Sequence, residues 1–487
     1  MKNRFLLFLC LLTCLACFPK RENANRGSNP LYDLEMNLLS KSKKKFVRNE
    51  KKYESANSGK PKVFAYEPTK IIHGSLGKME FSLENSTDLV LSHEKFPEFG
   101  KGNAIYDTQL LNSALEFTAA RGATVVVPPN RRDAAGKIIS YKLNATLKVK
   151  NTSFIGQVHG NFRADDPRIP RFEWGGVDEP NIAWIELSHG GTVSGINLEG
   201  QNSQKPTGIV IHPNPSGGNN NGYEIKDLSI RFFNEGIVSE NVEFGRINIE
   251  NVYLLHMKHI GISLGLRKSK IVDYSTLSKV YVRNFSPDFH GTGIRLGRID
   301  GINISDCNVF GVGVGIDLVE DELAGGSSTS ISNFMADHVL TGIIIRGNNH
   351  LNISNGEIWA HDIGLQIGDE HITQKKPSVL VSSTRFKANN VSVLVKQAQS
   401  VSITGSKFRL DNSSAPKIPI VIKAPVFGVF TGNIFALSEL AFKRKHLVEY
   451  ASSVNKIFIE DGESIFFESD RDLIGRIIVA KNILSTK

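Results

Sequence analysis

Charged and histidine side chains in the middle of the chain are spaced so that a coiled fold would bring them together. Arg295 and Asp317 are 22 residues apart, and on stacked strands of successive coils they would be neighbours about 4.8 Å apart. Asp288, His290 and His338 lie in segments that precede the same strands. Two positioned carboxylates support hydrolysis of a glycosidic bond, whereas a base with a partner that neutralises a uronate carboxylate supports β-elimination.

We therefore predict that these five residues are catalytic. Asp288 and Asp317 would supply the carboxylates, and His290 or His338 would assist proton transfer. Arg295 would bind a substrate carboxylate or act as the base. The alternative is structural, because an Arg–Asp pair on stacked strands is ordinary surface chemistry.

A second set of side chains is predicted to bind substrate along the same edge. The set consists of two histidines, one arginine and all three tryptophans. These residues are His256, His361, Arg346, Trp174, Trp184 and Trp359. Flat indole rings stack on sugar rings, whereas a buried tryptophan would fill a corner of a coil. His256 and His259 have a spacing compatible with two metal ligands, but no companion ligand accompanies them, and we predict no metal there.

The chain repeats itself beyond residue 150. A turn residue between two apolar alternations recurs at Asn151, Gly195, Asp227, Asn251, Lys279, Asp306, Asn333, Asn355, Ser383, Gly405 and Gly432. From Asp227 the spacing is 22 to 28 residues. Nine of the eleven are Asn, Asp or Gly, which adopt positive φ most readily. Each such bend is predicted to join two short strands of one coil.

A third strand closes each coil and usually opens with Gly-Ile, as at Gly208, Gly236, Gly261, Gly293, Gly315 and Gly342. Three short strands per repeat indicate an all-β, single-stranded parallel β-helix of about eleven coils. A propeller would need longer repeats, and leucine-rich repeats would need a leucine-dense consensus that is absent.

A helix with an apolar stripe precedes the coils, at residues 103–120. Asp107 is its predicted N-cap, Arg121-Gly122 its stop, and it would cap the open end of the solenoid. The order of features in this region resembles the start of chains of the pectate-lyase-like superfamily, which includes tailspike-like chains. That order is Asp107-Thr108, the helix, the strand 124–127, Pro128-Pro129 and a strand with Tyr141.

The resemblance covers residues 101–435 and implies a right-handed β-helix with a substrate groove along the Gly-Ile strands. It implies a carbohydrate-active protein that cleaves a polysaccharide as a lyase or glycoside hydrolase. The alternative is a non-catalytic glycan-binding adhesin or spike. The polygalacturonase-like Asn-Thr-Asp, Asp-Asp and Gly-His-Gly set is absent from the sequence. Calcium is left open as a cofactor, and the oligomeric state is left open as well.

The N-terminus reads as an export signal. Lys2 and Arg4 precede an apolar stretch, and Leu15-Ala16-Cys17 resembles the end of a bacterial lipobox, so Cys17 is the expected lipid anchor. The expected location is the cell envelope, periplasmic or on the outer-membrane surface, and plain secretion is the alternative. Only Cys307 would remain in the folded body, which excludes a disulfide framework.

Charge separates the leader and tether from the body. The whole net charge of +9 lies in residues 1–75, so residues 76–487 are neutral overall and a nucleic-acid partner is not expected. The predicted organisation is a signal peptide (1–17), a basic disordered tether (18–75), the β-helix with its N-terminal cap (76–437) and a C-terminal cap (438–487).

Overall fold

The computed structural model describes most of residues 69–486. The described part excludes residues 75–76, 84–86, 158–165, 177–182, 202–205, 213–221, 240–245, 266–271, 285–288, 298, 320–327, 348, 370–375, 410–417, 424–425, 438–445, 451–455, 459–464, 469–475 and 481–482. The chain divides into units Met1–Tyr66 and Glu67–Lys487. The predictions for Cys17, the signal peptide and most of the tether therefore lie outside the described residues.

The described part contains one long helix, α1 (Ala104–Ala119), and is otherwise built from short strands. The strands of the first third are β1 (Thr69–Gly74), β2 (Gly77–Ser82), β3 (Asp88–Val90), β4 (Thr124–Val127), β5 (Arg131–Arg132), β6 (Ile138–Ile139), β7 (Tyr141–Leu143), β8 (Leu147–Lys150), β9 (Ser153–Gly156), β10 (Arg171–Trp174), β11 (Ala183–Ser188), β12 (Gly191–Glu199) and β13 (Thr207–Ile211). Those of the middle are β14 (Tyr223–Arg231), β15 (Glu235–Ser239), β16 (Ile247–Leu255), β17 (Ile260–Leu264), β18 (Val272–Arg283), β19 (Thr292–Leu296), β20 (Ile299–Ser305), β21 (Asn308–Phe310), β22 (Val314–Leu318), β23 (Ser328–Ser332), β24 (Met335–Ile345), β25 (His350–Ser354) and β26 (Glu357–Ile367). The last are β27 (Ser378–Ser382), β28 (Arg385–Ala388), β29 (Val391–Val395), β30 (Ser400–Thr404), β31 (Lys407–Arg409), β32 (Ile418–Ile422), β33 (Phe427–Thr431), β34 (Ile434–Leu437), β35 (His446–Tyr450), β36 (Lys456–Phe458), β37 (Ile465–Glu468), β38 (Arg476–Ala480) and β39 (Ile483–Thr486).

Parallel pairing between successive coils arranges these strands in three long sheets. Sheet I contains β3, β4, β9, the first halves of β12, β14, β16 and β18, then β20, β23, β25, β27, β30, β33 and β38. Sheet II contains β7, β10, the second halves of the same four strands, then β21, the starts of β24 and β26, β28, β31, β34 and β39. Sheet III contains β8, β11, β13, β15, β17, β19, β22, the ends of β24 and β26, β29, β32 and β35. The predicted right-handed parallel β-helix with an N-terminal helix is confirmed.

The interior is filled by side chains that stack in register from coil to coil. In sheet III one such row is isoleucine over six coils, from Ile209 to Ile343, and each of its members is fully buried. β-Branched side chains suit strands and pack closely on their copies above and below. The core is therefore a set of apolar ladders that runs along the solenoid.

The bends between sheets I and II lie at ten of the predicted turn residues, and the eleventh, Asn151, lies between β8 of sheet III and β9 of sheet I. All eleven, from Asn151 to Gly432, have φ between 49° and 68°. Lys279 and Ser383 share this left-handed conformation although neither type favours it. Asn and Asp at this bend also bond from coil to coil, since the Asn251 side-chain amide donates to Asp227 at 2.6 Å.

Glycines at the start of the sheet III strands have a steric origin. A Cβ on Gly208, Gly236, Gly261, Gly293, Gly315, Gly342 or Gly364 would lie within 3.0 Å of a backbone oxygen in the next coil. None of these glycines has a positive φ. The Gly-Ile pattern in the sequence therefore records close approach of successive backbones.

We expect Gly315→Ala to lower the free energy of unfolding by about 1–3 kcal/mol, because the added methyl group meets the Gly342 carbonyl and the coil must shift. Urea unfolding followed by circular dichroism measures the change. Gly222→Ala is the matched control, since its nearest neighbour, the Arg246 carbonyl oxygen, is 3.4 Å from the added carbon. Equal losses in the two variants would contradict the steric explanation.

Helix α1 caps the first coil by bonding to its exposed strand edge. Asp107 accepts hydrogen bonds from the backbone amides of Gly100 (2.9 Å) and Lys142 (3.0 Å). Thr108 accepts from the amide of Asn144 at 2.9 Å. These bonds satisfy an edge that could otherwise pair with another chain. The Asp-Thr pair thus has a structural role here.

The predicted N-cap of α1 is wrong. The helix begins after Asn103, whose side chain accepts from the Tyr106 amide, and Asp107 is buried in the first turn. The predicted stop agrees with the structure, because Gly122 follows the helix with φ of 61°. No helix among the described residues is long and apolar enough to cross a membrane.

Two segments carry more strand than the sequence patterns indicated. Between the turn residues Asn151 and Gly195, where the repeat is interrupted, β10 supplies the sheet II strand of its coil. In the predicted C-terminal cap, β35, β38 and β39 continue the three sheets, while β36 and β37 pair antiparallel with β35 and β38. Strands inserted within the last coil lengthen it and hide the repeat. The hairpin of β1 and β2 spans the predicted boundary at residue 75.

Candidate functional site

The outward row of sheet III carries the residues that the sequence singled out. Register places Val210, Val238, Ser263, Arg295, Asp317, Ile344 and Gln366 opposite one another in successive coils. Most of this row is apolar or small, so Arg295 and Asp317 form a charged interruption in its middle.

Four charged side chains meet at this interruption, and we name Arg295, Asp317, Arg346 and Asp369 the Asp317 cluster. The Asp317 carboxylate lies 3.5 Å from Arg295 Nε and 3.2 Å from Arg346 Nη1. Arg346 Nε lies 3.7 Å from an oxygen of Asp369. Arg295 also donates to the hydroxyl of Thr292 at 3.2 Å. Two arginines thus hold one carboxylate between them, and a second carboxylate lies beyond.

Asp317 is unusual because it is buried on the outer side of the sheet, with 4% of its surface exposed. Burial raises the pKa of its carboxyl above the ordinary value, although the positive charges of Arg346 and Arg295 limit the rise. Among the described residues, three buried atoms of the cluster, Asp317 Oδ1, Arg295 Nε and Arg346 Nε, lack a hydrogen bond of good geometry. The ion pairs therefore leave these atoms able to form further hydrogen bonds, which a bound ligand could supply.

The predicted histidines gather at the corner that precedes the sheet III strands. His338 stacks on Phe310 with centroids 5.5 Å apart and meets His361 edge-on at 5.0 Å. His361 also packs against Phe289 at 4.6 Å. Burial lowers the pKa of His361, and the neighbouring His338 lowers it further. The aromatic rings at this corner form a cluster that is separate from the Asp317 cluster. No ion pair or hydrogen bond between described groups joins His338 or His361 to Asp317.

The remaining predicted histidines and acid have separate positions. His290 is exposed, and Asp288 lies outside the described residues. His256 stacks on Phe232 with centroids 4.8 Å apart, and burial lowers its pKa. The structure therefore brings together Arg295, Asp317 and Arg346, and separately His338 and His361.

The tryptophans do not line a sugar-binding face in sheet III. Trp184 is fully buried against Phe233 at 4.7 Å, and Trp174 is buried beside it. Both fill the core, so neither presents a ring to solvent. Trp359 lies on the sheet II part of β26 rather than in a turn, and the Lys387 ammonium lies 4.2 Å above its ring.

Sequence reasoning missed Asp369 and Thr292 as members of this region. Thr292 lies three residues before Arg295 on the same strand, and strand alternation assigns residues three apart to opposite faces, so the pattern gave no signal for it. Asp369 follows the end of its strand, where no periodicity applies. For the calcium left open above, no group of three or more His, Cys, Asp or Glu residues in the described part of the chain is arranged to hold a metal ion.

No family model and no curated protein matches the chain. Solved structures do match. A tailspike protein of an Acinetobacter baumannii bacteriophage, described as a capsular polysaccharide depolymerase, is 10% identical with a TM-score of 0.46, over 83% of this chain and 72% of that chain. DFA-IIIase from Arthrobacter chlorophenolicus A6, solved with DFA-III, is 14% identical with a TM-score of 0.42, over 72% and 84%.

The tailspike protein of E. coli bacteriophage HK620, solved with a pentasaccharide, is 11% identical with a TM-score of 0.44, over 68% of this chain and 63% of that chain. The chain thus matches just under two thirds of that tailspike. These neighbours share the parallel β-helix fold and are carbohydrate-active enzymes or tailspike proteins.

Proposed function

We propose that this protein recognises a polysaccharide along the outer face of sheet III, and that the Asp317 cluster is the centre of that site. The observation that carries the proposal is the buried Asp317 carboxylate, held between two guanidinium groups with polar atoms left unused. A cluster that served stability alone would be expected to complete its hydrogen bonds within the protein.

The chemistry of the cluster suits a sugar. Guanidinium N–H groups donate to hydroxyl, carboxylate or sulfate oxygens, while the carboxylate of Asp317 accepts from hydroxyls. The two arginines and two acids balance in charge, so neutral sugar hydroxyls fit as well as a uronate. Both guanidinium groups lie within ion-pair distance of Asp317, and arginine is a poor base in proteins. This disfavours β-elimination with Arg295 as the base.

Replacement of Arg346 by methionine tests the site. We expect the variant to lose about 10–100-fold in affinity for the bound polysaccharide, because charge-assisted hydrogen bonds are removed. Binding of the purified chain to a panel of immobilised acidic and neutral polysaccharides measures the loss. Arg385→Met is the matched control, since that arginine forms its ion pair with Glu357 at 3.1 Å, away from sheet III. Unchanged affinity in Arg346→Met would refute the assignment.

Polysaccharide recognition is common to the two functions that the sequence left open, the cleaving enzyme and the adhesin. The same panel distinguishes them, because hydrolysis releases reducing ends, elimination adds ultraviolet absorbance from unsaturated uronates, and an adhesin does neither.

Export and lipidation at Cys17 belong to the proposal as well, and they rest on the N-terminal sequence. We expect Cys17→Ser, expressed in a Gram-negative host, to lose labelling by radioactive palmitate and to leave the detergent phase. Cys10→Ser is the control within the same leader. Continued labelling of Cys17→Ser would show that the lipobox-like sequence is not used.

A further inference from the structure

The outer face of sheet II holds a second polar cluster, which the sequence patterns did not indicate. Two outward rows run side by side over five successive coils. One row is Arg171, Asn197, Ser229, Tyr253 and Tyr281, and the other is Glu173, Glu199, Arg231, Leu255 and Arg283. Strand spacing gives this face a length of about 20 Å. Asn197 and Ser229 in the middle of the first row are buried, so the partly exposed residues of that row lie on either side of them.

Glu173 and Glu199 are directly opposite in register on β10 and β12. Their Cα atoms are therefore about 4.8 Å apart, and both side chains point outward. Like charges directly opposite on neighbouring strands destabilise a sheet. Both glutamates have basic neighbours that offset this repulsion, Lys142 beside Glu173, and Arg171 and Arg231 beside Glu199.

The environments of the two glutamates differ. Glu173 accepts hydrogen bonds from Ser140, at 2.7 Å, and from the Lys142 ammonium. Burial alone would raise the pKa of Glu173, but these bonds and the Lys142 charge hold it below its ordinary value. Glu173 is thus fixed in place as a carboxylate.

The Glu199 side chain is half-buried, and its carboxyl group accepts no hydrogen bond from the described residues. Burial raises the pKa of Glu199, while the charges of Arg231 and Arg171 limit the rise and that of Glu173 adds to it. Nearby, the buried Nε of Arg171 has no hydrogen-bond partner among the described groups. The pKa of Glu173 is thus lowered and that of Glu199 raised, so Glu199 is the better proton donor of the two.

Aromatic rings continue the two rows away from the acids. Tyr253 and Tyr281 stack with centroids 4.8 Å apart and an interplanar angle of 11°. Phe232 and His256 stack beside them at the corner, at 4.8 Å and 5°. In each pair the facing ring surfaces are covered by the partner ring, so along the row the rings present their edges.

We propose that Glu173 and Glu199 are the nucleophile and the general acid of a retaining glycoside hydrolase site on the outer face of sheet II. This inference adds a reaction to the proposed function and rests on its premise that the ligand is a polysaccharide. Close carboxylates, about 5–5.5 Å apart, are the geometry of double displacement, whereas inverting enzymes leave room for a water between them.

The reaction balances in two steps. Glu199 gives its proton to the glycosidic oxygen, the bond between that oxygen and the anomeric carbon breaks, and a Glu173 oxygen bonds to the same carbon. Glu199, now ionised, then takes a proton from water while the water oxygen attacks the anomeric carbon and the ester to Glu173 breaks. The net change is one water consumed and one new reducing end, with Glu199 protonated again.

The experiment uses the full chain and two probes, the polysaccharide panel and 2,4-dinitrophenyl glycosides of neutral and uronic sugars. We expect Glu173→Gln to lose about 10²–10⁴-fold of reducing-end release on the panel. Glu199→Gln should lose as much there but far less on the dinitrophenyl glycosides, because that leaving group needs no proton. Azide should restore Glu199→Gln turnover and trap a glycosyl azide with retained configuration.

Glu224→Gln is the matched control, because Glu224 is a half-exposed glutamate on β14 in an ion pair with Lys226 at 2.9 Å. Circular dichroism and panel binding establish that each variant is folded. Wild-type protein that binds a polysaccharide but releases no reducing ends overturns this inference and leaves the proposed function standing. Release that survives in both glutamine variants, or products of inverted configuration, overturns it as well, whereas absence of any binding removes the proposed function itself.

Discussion

Replacement of Asp317 by alanine is expected to lower the free energy of unfolding by about 3 kcal/mol, because it leaves Arg295 and Arg346 without their shared counter-charge. Removal of one partner from a buried ion pair costs about 3–5 kcal/mol. We place the loss at the lower end of this range, since 28% of the Arg295 side-chain surface and 25% of that of Arg346 are exposed and water screens part of their charge. Chemical unfolding of the two proteins measures the difference.

A triple variant separates stability from recognition at the same cluster. Arg295→Met, Asp317→Leu and Arg346→Met together remove three of the four charges of the cluster and keep similar volume. The fourth, Asp369, keeps 29% of its side-chain surface exposed to water, so stability should return to within about 1 kcal/mol of the wild type. Polysaccharide binding should not return, because the donors and the acceptor are gone. If the triple variant binds as the wild type does, the Asp317 cluster is a structural feature and the site on sheet III is wrong.

The fold was predictable because each coil needs a residue type that few others can replace. Asn, Asp and Gly mark most of the left-handed bends, and the positions from Asn151 to Gly432 all have the positive φ of that conformation. Glycine marks the close backbone approach at the start of the sheet III strands. The bend is a local requirement, whereas the glycine requirement comes from the next coil. Both recur once per coil, so they are visible in the sequence as a repeat.

The outward row of sheet III followed from the same register, which is why Arg295 and Asp317 could be paired in advance. The histidine corner was less predictable, because the loops before these strands differ in length and periodicity does not fix how His338 and His361 meet. The burial of Trp184 was open in the sequence for a similar reason. An indole at the start of a strand can point to either side of it.

Glu173 and Glu199 were missed for a specific reason. The segment around Glu173 follows a long polar stretch, which hid the short alternation Arg171, Phe172, Glu173 and Trp174 that forms β10. The available signal was that two outward polar residues alternate with two buried aromatic residues. Once β10 is a strand of sheet II, Glu173 falls opposite Glu199 by register alone.

The second large effect concerns Asp107, which holds the capping helix on the first coil. We expect Asp107→Ala to lower the free energy of unfolding by about 2–4 kcal/mol, because the amides of Gly100 and Lys142 would lose their acceptor in a buried position. Urea unfolding gives the size of the loss. Asp133→Ala is the control, since Asp133 makes comparable bonds to backbone amides in an exposed turn. A loss in Asp107→Ala no larger than in the control would mean that the cap does not depend on this carboxyl.

The same carboxyl should make stability depend on pH in an unusual direction. Burial raises the pKa of Asp107 to about 6 from an ordinary value of 3.8. Because the folded state holds this proton more tightly, the stability that it contributes is full below about pH 3.8 and is lost as the pH rises through about 6. The amide side chain that replaces the carboxyl in the variant Asp107→Asn does not titrate. From pH 7 to pH 4 the free energy of unfolding of the wild type should therefore rise by up to about 3 kcal/mol relative to that of the variant. Comparison of the variant with the wild type cancels the opposite dependence of other carboxylates, such as Glu173, whose folded pKa is lowered. A difference that stays constant over this range would show that Asp107 has the same pKa in the folded and the unfolded chain.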